Sequence, residues 1–248
     1  MLEGELEIFR KIYTECKVIF DVGARYDIDY IEISKGSNIK YVLFEINPKF
    51  FKKLTKKVLK IPGEDVTLEN IGVAEKNGEM FYYSDSESVL QSTTGIHSST
   101  RRSSQAFQVT SLDSYVKNIG ADTTVDFLKT DIEEYDYFAL LGFSKNIKRC
   151  KFIQFELGVG APFGNRRVEN KDYFDLLYAC FNLFIVKDEN NPLWKGGVYI
   201  CHLISLDYGS IPSLERFQKT GVGFNVLAVN KKIEIEKFDF DILGPLKV

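Results

Sequence analysis

Four carboxylates stand at the ends of apolar runs in this chain. Asp21 follows Val18-Ile19-Phe20, and Glu45 follows Tyr41-Val42-Leu43-Phe44. Asp131 closes Val125-Asp126-Phe127-Leu128-Lys129-Thr130, and Glu156 closes Phe152-Ile153-Gln154-Phe155. An ionised carboxylate accepts hydrogen bonds from hydroxyls and amines, binds hard cations, and takes up protons that a reaction releases. Any one of the four could instead cap a following helix. Four in equivalent places point to a shared site.

The first has a second feature beside it. Asp21-Val22-Gly23-Ala24 has the form of a tight turn in which a glycine lets the backbone approach a nucleotide-like ligand. Glu45 lies about 20 residues on, the spacing at which a carboxylate takes both ribose hydroxyls in Rossmann-type sites. The turn continues Arg25-Tyr26-Asp27-Ile28 without a second glycine, so the GxGxxG that makes room for a pyrophosphate is missing. That argues against a nicotinamide dinucleotide. An adenosyl ligand without phosphates, carrying a sulfonium and an amino acid tail, suits the acidic setting, and S-adenosylmethionine is such a ligand.

These acids need a scaffold that brings strand ends together. Residues 2–17 carry Leu6, Phe9, Ile12 and Tyr13 at helical spacing and read as an amphipathic helix. Strands are expected at Val18–Phe20, Tyr41–Phe44, Thr67–Asn70, around Phe81–Tyr83, at Val125–Leu128, Phe152–Phe155, Leu183–Val186, Val198–Leu203 and Phe224–Val229. Helices are expected after Pro48, after Ser111, around Tyr135–Leu141 and over Asp172–Phe181. Asn77-Gly78 reads as a hairpin turn between two of the strands. Such alternation is the pattern of βαβ units, with a strand-rich end that predicts an antiparallel edge on a parallel sheet. No linker or repeat divides residues 1–248, so one domain is expected. The Ser/Thr-rich stretch 84–104 is long for a compact domain and reads as a lid, a substrate loop or disorder.

Composition removes several classes. The chain is 44% hydrophobic, enough for a continuous core, and no apolar run reaches membrane-span length. A net charge of −3 gives no reason to expect nucleic acid, although 32 basic residues among 35 acids leave room for a basic face. The four cysteines are scattered, with no CxxC pair, and the N-terminus is acidic rather than signal-like. The expectation is a cytoplasmic protein with a small-molecule or glycan acceptor, and neither nucleic acid nor a membrane as partner.

Val18–Ala24 (VIFDVGA), Phe44–Pro48 (FEINP), Ser111-Leu112-Asp113 and Phe127–Glu134 (FLKTDIEE) resemble, in order and spacing, the FkbM family of S-adenosylmethionine-dependent methyltransferases. Asn70–Val73 and Phe152–Glu156 fall where that family has similar stretches. The resemblance covers roughly residues 17–157. It implies a doubly wound, mostly parallel α/β sheet of seven strands with an antiparallel edge, and methylation of hydroxyls on sugars and natural products. By this likeness Asp21, Gly23, Ala24 and Arg25 line the cofactor's amino acid end, and Glu45 with Ile46 holds its ribose. Asn70 and Ile71 lie near the adenine, and Lys129, Asp131 and Glu133 near the reacting centre. The chain departs from the pattern where the family usually has Asn and then Gly in the first turn, here Arg25 and Asp27. It departs again at Glu133-Glu134, where the family usually has Glu-Gly.

Methyl transfer to a hydroxyl needs alignment, and a base or a metal that acidifies the acceptor. Asp131 and Glu156 are the candidates for base or for ligands of a divalent cation such as Mg²⁺, with Glu133 behind them. His97, beside Arg101 and Arg102 in the Ser-rich stretch, is a further candidate base. His202 reads as a core histidine. The rival reading is a Rossmann-like binding or scaffold protein that keeps the fold without catalysis.

Overall fold

The computed structural model describes residues 3–83, 90–92, 104–132, 135–157, 168–188, 191, 202–219 and 223–246. Helix α1 (Glu3–Ile12) runs into a 3-10 turn (Tyr13–Glu15), and then β1 (Val18–Val22), α2 (Asp29–Ile33), β2 (Lys40–Phe44), α3 (Pro48–Val58) and β3 (Asp65–Glu69) follow. A smaller unit comprises β4 (Gly72–Val73), β5 (Gly78–Tyr83), β6 (Leu90–Ser92) and β7 (Ser104–Thr110). The chain continues through α4 (Leu112–Ile119), β8 (Phe127–Thr130), α5 (Asp136–Leu141), β9 (Phe152–Leu157), α6 (Asn170–Leu177) and β10 (Phe181–Val186). It closes with β11 (Leu203–Leu206), α7 (Ile211–Gln218), β12 (Phe224–Asn230) and β13 (Ile242–Leu243).

The main sheet has the order β13-β11-β10-β12-β9-β8-β1-β2-β3. β1, β2, β3, β8 and β9 are mutually parallel, while β12 runs antiparallel to both β9 and β10. The expected doubly wound sheet is therefore present, with nine strands rather than seven. Its reversed strand β12 lies inside the sheet, and β11 and β13 extend the sheet beyond β10. From β1 the chain first moves outward to β2 and β3, then crosses to β8 on the other side. That reversal makes the carboxyl end of β1 the topological switch point, where open α/β sheets bind ligands.

β1, β2, β8 and β9 are buried almost throughout, as parallel strands covered on both faces must be. Alternate residues feed two cores. Phe20, Val22, Phe44, Leu128 and Phe155 pack on one face with α4, α5 and α6 residues such as Val116, Leu140 and Phe174. Ile19, Leu43, Phe127 and Phe152 pack on the other with Phe9 and Ile12 of α1 and Tyr30 of α2.

Asn77-Gly78 does not close the expected hairpin. Thr67–Glu69 belongs to the main sheet and Phe81–Tyr83 to the small one. Asn77 instead turns its side chain to the start of α4, where its Oδ1 accepts from the Ser111 amide at 2.9 Å. Ser111 is the N-cap of α4, as its type predicts, its hydroxyl accepting from the Ser114 amide. Within the Ser-rich stretch, Leu90–Ser92 is a strand paired with Phe81–Tyr83. His202 is partly buried rather than in the core, linking Glu7 Oε1 (3.0 Å) to the Asp241 amide (3.1 Å).

The small unit meets the large one at Gly142, the C-cap of α5. A Cβ there would lie 2.1 Å from the Ala74 carbonyl oxygen, a backbone atom without freedom to yield. Gly142→Ala is expected to lower unfolding stability by about 1–3 kcal/mol through overpacking, read as a shift of the urea midpoint. An unchanged midpoint would show that the two units are not held at this contact.

Candidate active site

Register decides which polar side chains meet. Asp21 pairs with Lys129 across β1 and β8, and Lys129 with Gln154 across β8 and β9. Paired residues of parallel strands share a face, so the three form one polar row on the sheet side covered by α1 and α2. All three are buried. Gln154 is held at both ends, its Nε2 donating to Glu5 Oε1 of α1 at 2.7 Å and its Oε1 accepting from the Tyr30 hydroxyl at 3.3 Å.

Lys129 is the centre of this row. Its Nζ lies 3.0 Å from Asp131 Oδ2 and 3.7 Å from Asp21 Oδ1. Burial works against the ammonium, but Asp21 and then Asp131 outweigh it and hold its pKa well above the usual lysine value. Asp131 has a half-exposed side chain, at 51%, and Lys129 holds its pKa below the ordinary range. Asp21 differs. Burial pushes it up to about 6, with Lys129 opposing, and its Oδ1 has no hydrogen-bond partner.

The turn after β1 carries the second half of the site. Gly23 has φ 84°, and a Cβ there would sit 2.2 Å from the Asp131 carbonyl oxygen, so the β1 turn lies directly against the end of β8. The Gly23 and Ala24 amides both donate to the Phe44 carbonyl, at 2.9 and 3.1 Å. Arg25 is left-handed, with φ 55°. At this position the family usually has Asn, which tolerates that conformation better. The conformation aims the Arg25 amide at Glu45 Oε2, 2.7 Å away, while Glu45 Oε1 accepts from the Asn47 amide at 2.6 Å. Burial raises the Glu45 pKa to about 7, against the lowering effect of those two amides.

The backbone behind Glu45 is tied down from β3. Asn70 Nδ2 donates to the carbonyls of Glu45 (2.7 Å) and Ile46 (3.3 Å). The side-chain amide of Asn70 thus fixes the Glu45 turn. Ile46 packs over Gly72, where a Cβ would be 2.8 Å from its Cδ1, and Ile71 packs against the main core. Glu156 lies two strands from Asp21, its Oε1 against Gly223.

Several residues of this site carry weak signals in the sequence. Gln154 is a polar residue in an apolar strand, and Glu5 shares the buried stripe of α1 with Ile8, Phe9 and Ile12. Asp136, at the start of α5, is wholly buried and accepts from the Ile132 amide at 3.2 Å, which shapes the chain just after Asp131. Burial pushes its pKa well above the carboxylate range. His97, Arg101, Arg102, Glu133 and Glu134 lie outside the described residues. Among the described residues, no group of three or more His, Cys, Asp or Glu side chains could hold a metal ion, so Asp131 and Glu156 gain no third ligand there.

The donor set fits S-adenosylmethionine. Asp21 offers a buried oxygen without a hydrogen-bond partner, Glu45 keeps lone pairs beyond those its two amides use, and Gly23 leaves a cradle that a side chain would fill. Strand order, switch point and strand-end acids together define a class I, Rossmann-like methyltransferase. The chain belongs to the family of the methyltransferase FkbM domain, whose model matches residues 21–184.

Among solved structures, the chain is similar to a putative O-methyltransferase from Klebsiella pneumoniae, with 10% identity, TM-score 0.45, and 93% of this chain and 81% of that one covered. It is also similar to a putative rRNA-methylase from Clostridium thermocellum, with 13% identity, TM-score 0.45, and 93% and 97% covered. A third is M. capricolum TrmK in complex with S-adenosyl-homocysteine, with 12% identity, TM-score 0.44, and 97% and 75% covered. No curated protein matches.

Lys129 is expected to be the electrostatic keystone of the site. Asp21's folded pKa lies above its unfolded value of about 4, so its contribution to stability is fullest at low pH and is lost as pH rises through about 6. Lys129→Met removes the cation that opposes this and moves the folded value higher still. The variant should lose about 3 kcal/mol at pH 8 and clearly less at pH 5, with Asp21→Asn in the same background recovering most of the loss at pH 8. Equal losses at both pH values would show that the two groups are not coupled.

Proposed function

We propose that this chain is an S-adenosylmethionine-dependent O-methyltransferase acting on a hydroxyl of a sugar, glycan or glycosylated small molecule. The observation that carries the cofactor reading is Glu45, fixed through both carboxylate oxygens by the Arg25 and Asn47 amides at the switch point of the sheet. A carboxylate so anchored presents its remaining lone pairs in fixed directions, which suits the two hydroxyls of a ribose. Asp21, buried and only distantly paired with Lys129, is suited to the cationic amino acid end. When bound, the cofactor supplies an activated methyl group and its own leaving group.

The protein's share is then alignment and charge. Gly23 lets the backbone close on the cofactor side, and the row Asp21–Lys129–Gln154, locked by Glu5 and Tyr30, keeps that floor rigid. Asp131 reaches the exposed edge of the site. Its depressed pKa makes it a weak base but a permanent acceptor, suited to orienting an acceptor hydroxyl by taking its hydrogen bond. Glu156, Glu133 and His97 are the other candidates to take the proton, alone or with a divalent cation on Asp131 and Glu156. The sugar or glycan acceptor rests on the family, whose members generally methylate such hydroxyls.

Calorimetric titration with S-adenosylhomocysteine tests the reading. Ribose hydroxyls donate to Glu45, so binding favours its ionised form, the stronger acceptor. Affinity in the micromolar range, on the order of −8 kcal/mol, is expected to strengthen from pH 6 to 8, through the Glu45 value of about 7. Glu45→Gln should bind more weakly and with a flatter pH profile. Absence of binding by the unaltered protein would move the reading to a Rossmann-like binding or scaffold protein without catalysis.

A further inference from the structure

Helix α3 concentrates one sign of charge. Lys49, Lys52, Lys53, Lys56, Lys57 and Lys60 fall between Pro48 and Lys60 with no acid among them. At about 100° per residue they occupy an arc of roughly 140°, bordered on one side by Phe50 and Leu54, which the helix buries. Among the described residues, none of the six has a carboxylate within ion-pair distance, whereas Lys129, Lys151, Lys171 and Lys237 are all paired. Arg25 joins the same surface. Its guanidinium and the ammonium groups of Lys53 and Lys57 stand 5.1–5.6 Å from the ring centres of Tyr26 or Phe50. A chain of net charge −3 thus gathers six lysines and an arginine on one surface.

The helix ends on Leu59, 76% exposed and the most exposed large hydrophobic side chain among the described residues. It sits between Lys56 and Lys60, at the edge of the lysine arc.

We propose that the α3 face docks this protein on an anionic lipid bilayer. Each lysine gains from the negative surface potential within a Debye length of the headgroups, and the contributions of six add. Their aliphatic stems can lie along the interface while the ammonium groups stay in water. Leu59 decides the choice of partner. A bilayer interface accepts an inserted leucine among lysines, whereas a nucleic-acid backbone neutralises the lysines and offers the leucine nothing. The proposal replaces the expectation that no membrane is a partner, which rested on the lack of an apolar run of membrane-span length. It is independent of the methyl acceptor.

Vesicle co-sedimentation of the full chain at about 0.1 M salt tests it, with phosphatidylcholine alone and with phosphatidylcholine containing phosphatidylglycerol. Binding to the mixed vesicles, and not to the neutral ones, is expected. The triple variant Lys52→Glu/Lys56→Glu/Lys60→Glu should lower partitioning by about a hundredfold or more, and a triple Lys→Gln variant by less. Leu59→Ser should lower it by about tenfold while leaving retention of a duplex RNA oligomer unchanged. All these side chains are exposed, and thermal melts check that the variants fold. Failure to bind mixed vesicles, equal binding to neutral ones, or a triple variant that binds like the original chain would overturn the proposal. So would duplex RNA that displaces the vesicles, with Leu59→Ser indifferent to both.

Discussion

The site depends on one buried ammonium. Lys129 lies in a parallel strand whose four residues are all buried, a place where an isolated charge is strongly disfavoured. It persists there because register puts Asp21 beside it and the end of its own strand brings Asp131 within 3.0 Å. Those two acids are consequently not interchangeable. Asp131, half in water and close to the ammonium, is held ionised. Asp21, buried and further from it, is left near the middle of its titration at about 6. One cation thereby produces two carboxylates of different character within a single site, the separation of roles that acid–base chemistry and cation recognition both use.

The sheet's two faces explain how such a row is tolerated. Asp21, Lys129 and Gln154 interrupt the core shared by α1 and α2, and both helices answer with polar groups, Glu5 and Tyr30. Helix α1 therefore does more than cover apolar surface. It closes the polar row, which makes the first helix part of the support of the site. On the opposite face the corresponding positions are apolar, Phe20, Val22, Leu128 and Phe155.

The sequence makes the strand-end acids legible because parallel strands are short apolar runs and the ligand site lies at their carboxyl ends. The strands carrying Asp21, Glu45, Asp131 and Glu156 were therefore found with their order intact. Strand count and pairing were harder to read. The residues Asn77-Gly78 look like a hairpin joining β3 to β5, yet β5 pairs with β6 and with β7, the latter more than 20 residues on. Local turn chemistry carries no information about that. Glu5 and Gln154 escaped for a related reason, since each is a single polar residue in an apolar pattern and its partner is 149 residues away. The run of lysines after Pro48 is plain in the sequence, but the net charge of −3 does not register it, because acids elsewhere balance them in the total.

Ionisation links the turn after β1 to its ligand. Burial raises both Asp21 and Glu45 above the usual carboxylate range, so keeping them charged near neutral pH disfavours the folded protein without its cofactor. A ligand that brings a cation to Asp21 and hydroxyl donors to Glu45 reverses that penalty, and the relief appears as binding free energy and as added stability. Arg25 belongs to the same account. Its left-handed backbone is unfavourable for a residue that lacks glycine's freedom, yet it is the conformation that delivers an amide to Glu45 Oε2. Local strain at Arg25 and buried charge at Asp21 and Glu45 are thus two forms of preorganisation, concentrated where the order of the strands reverses.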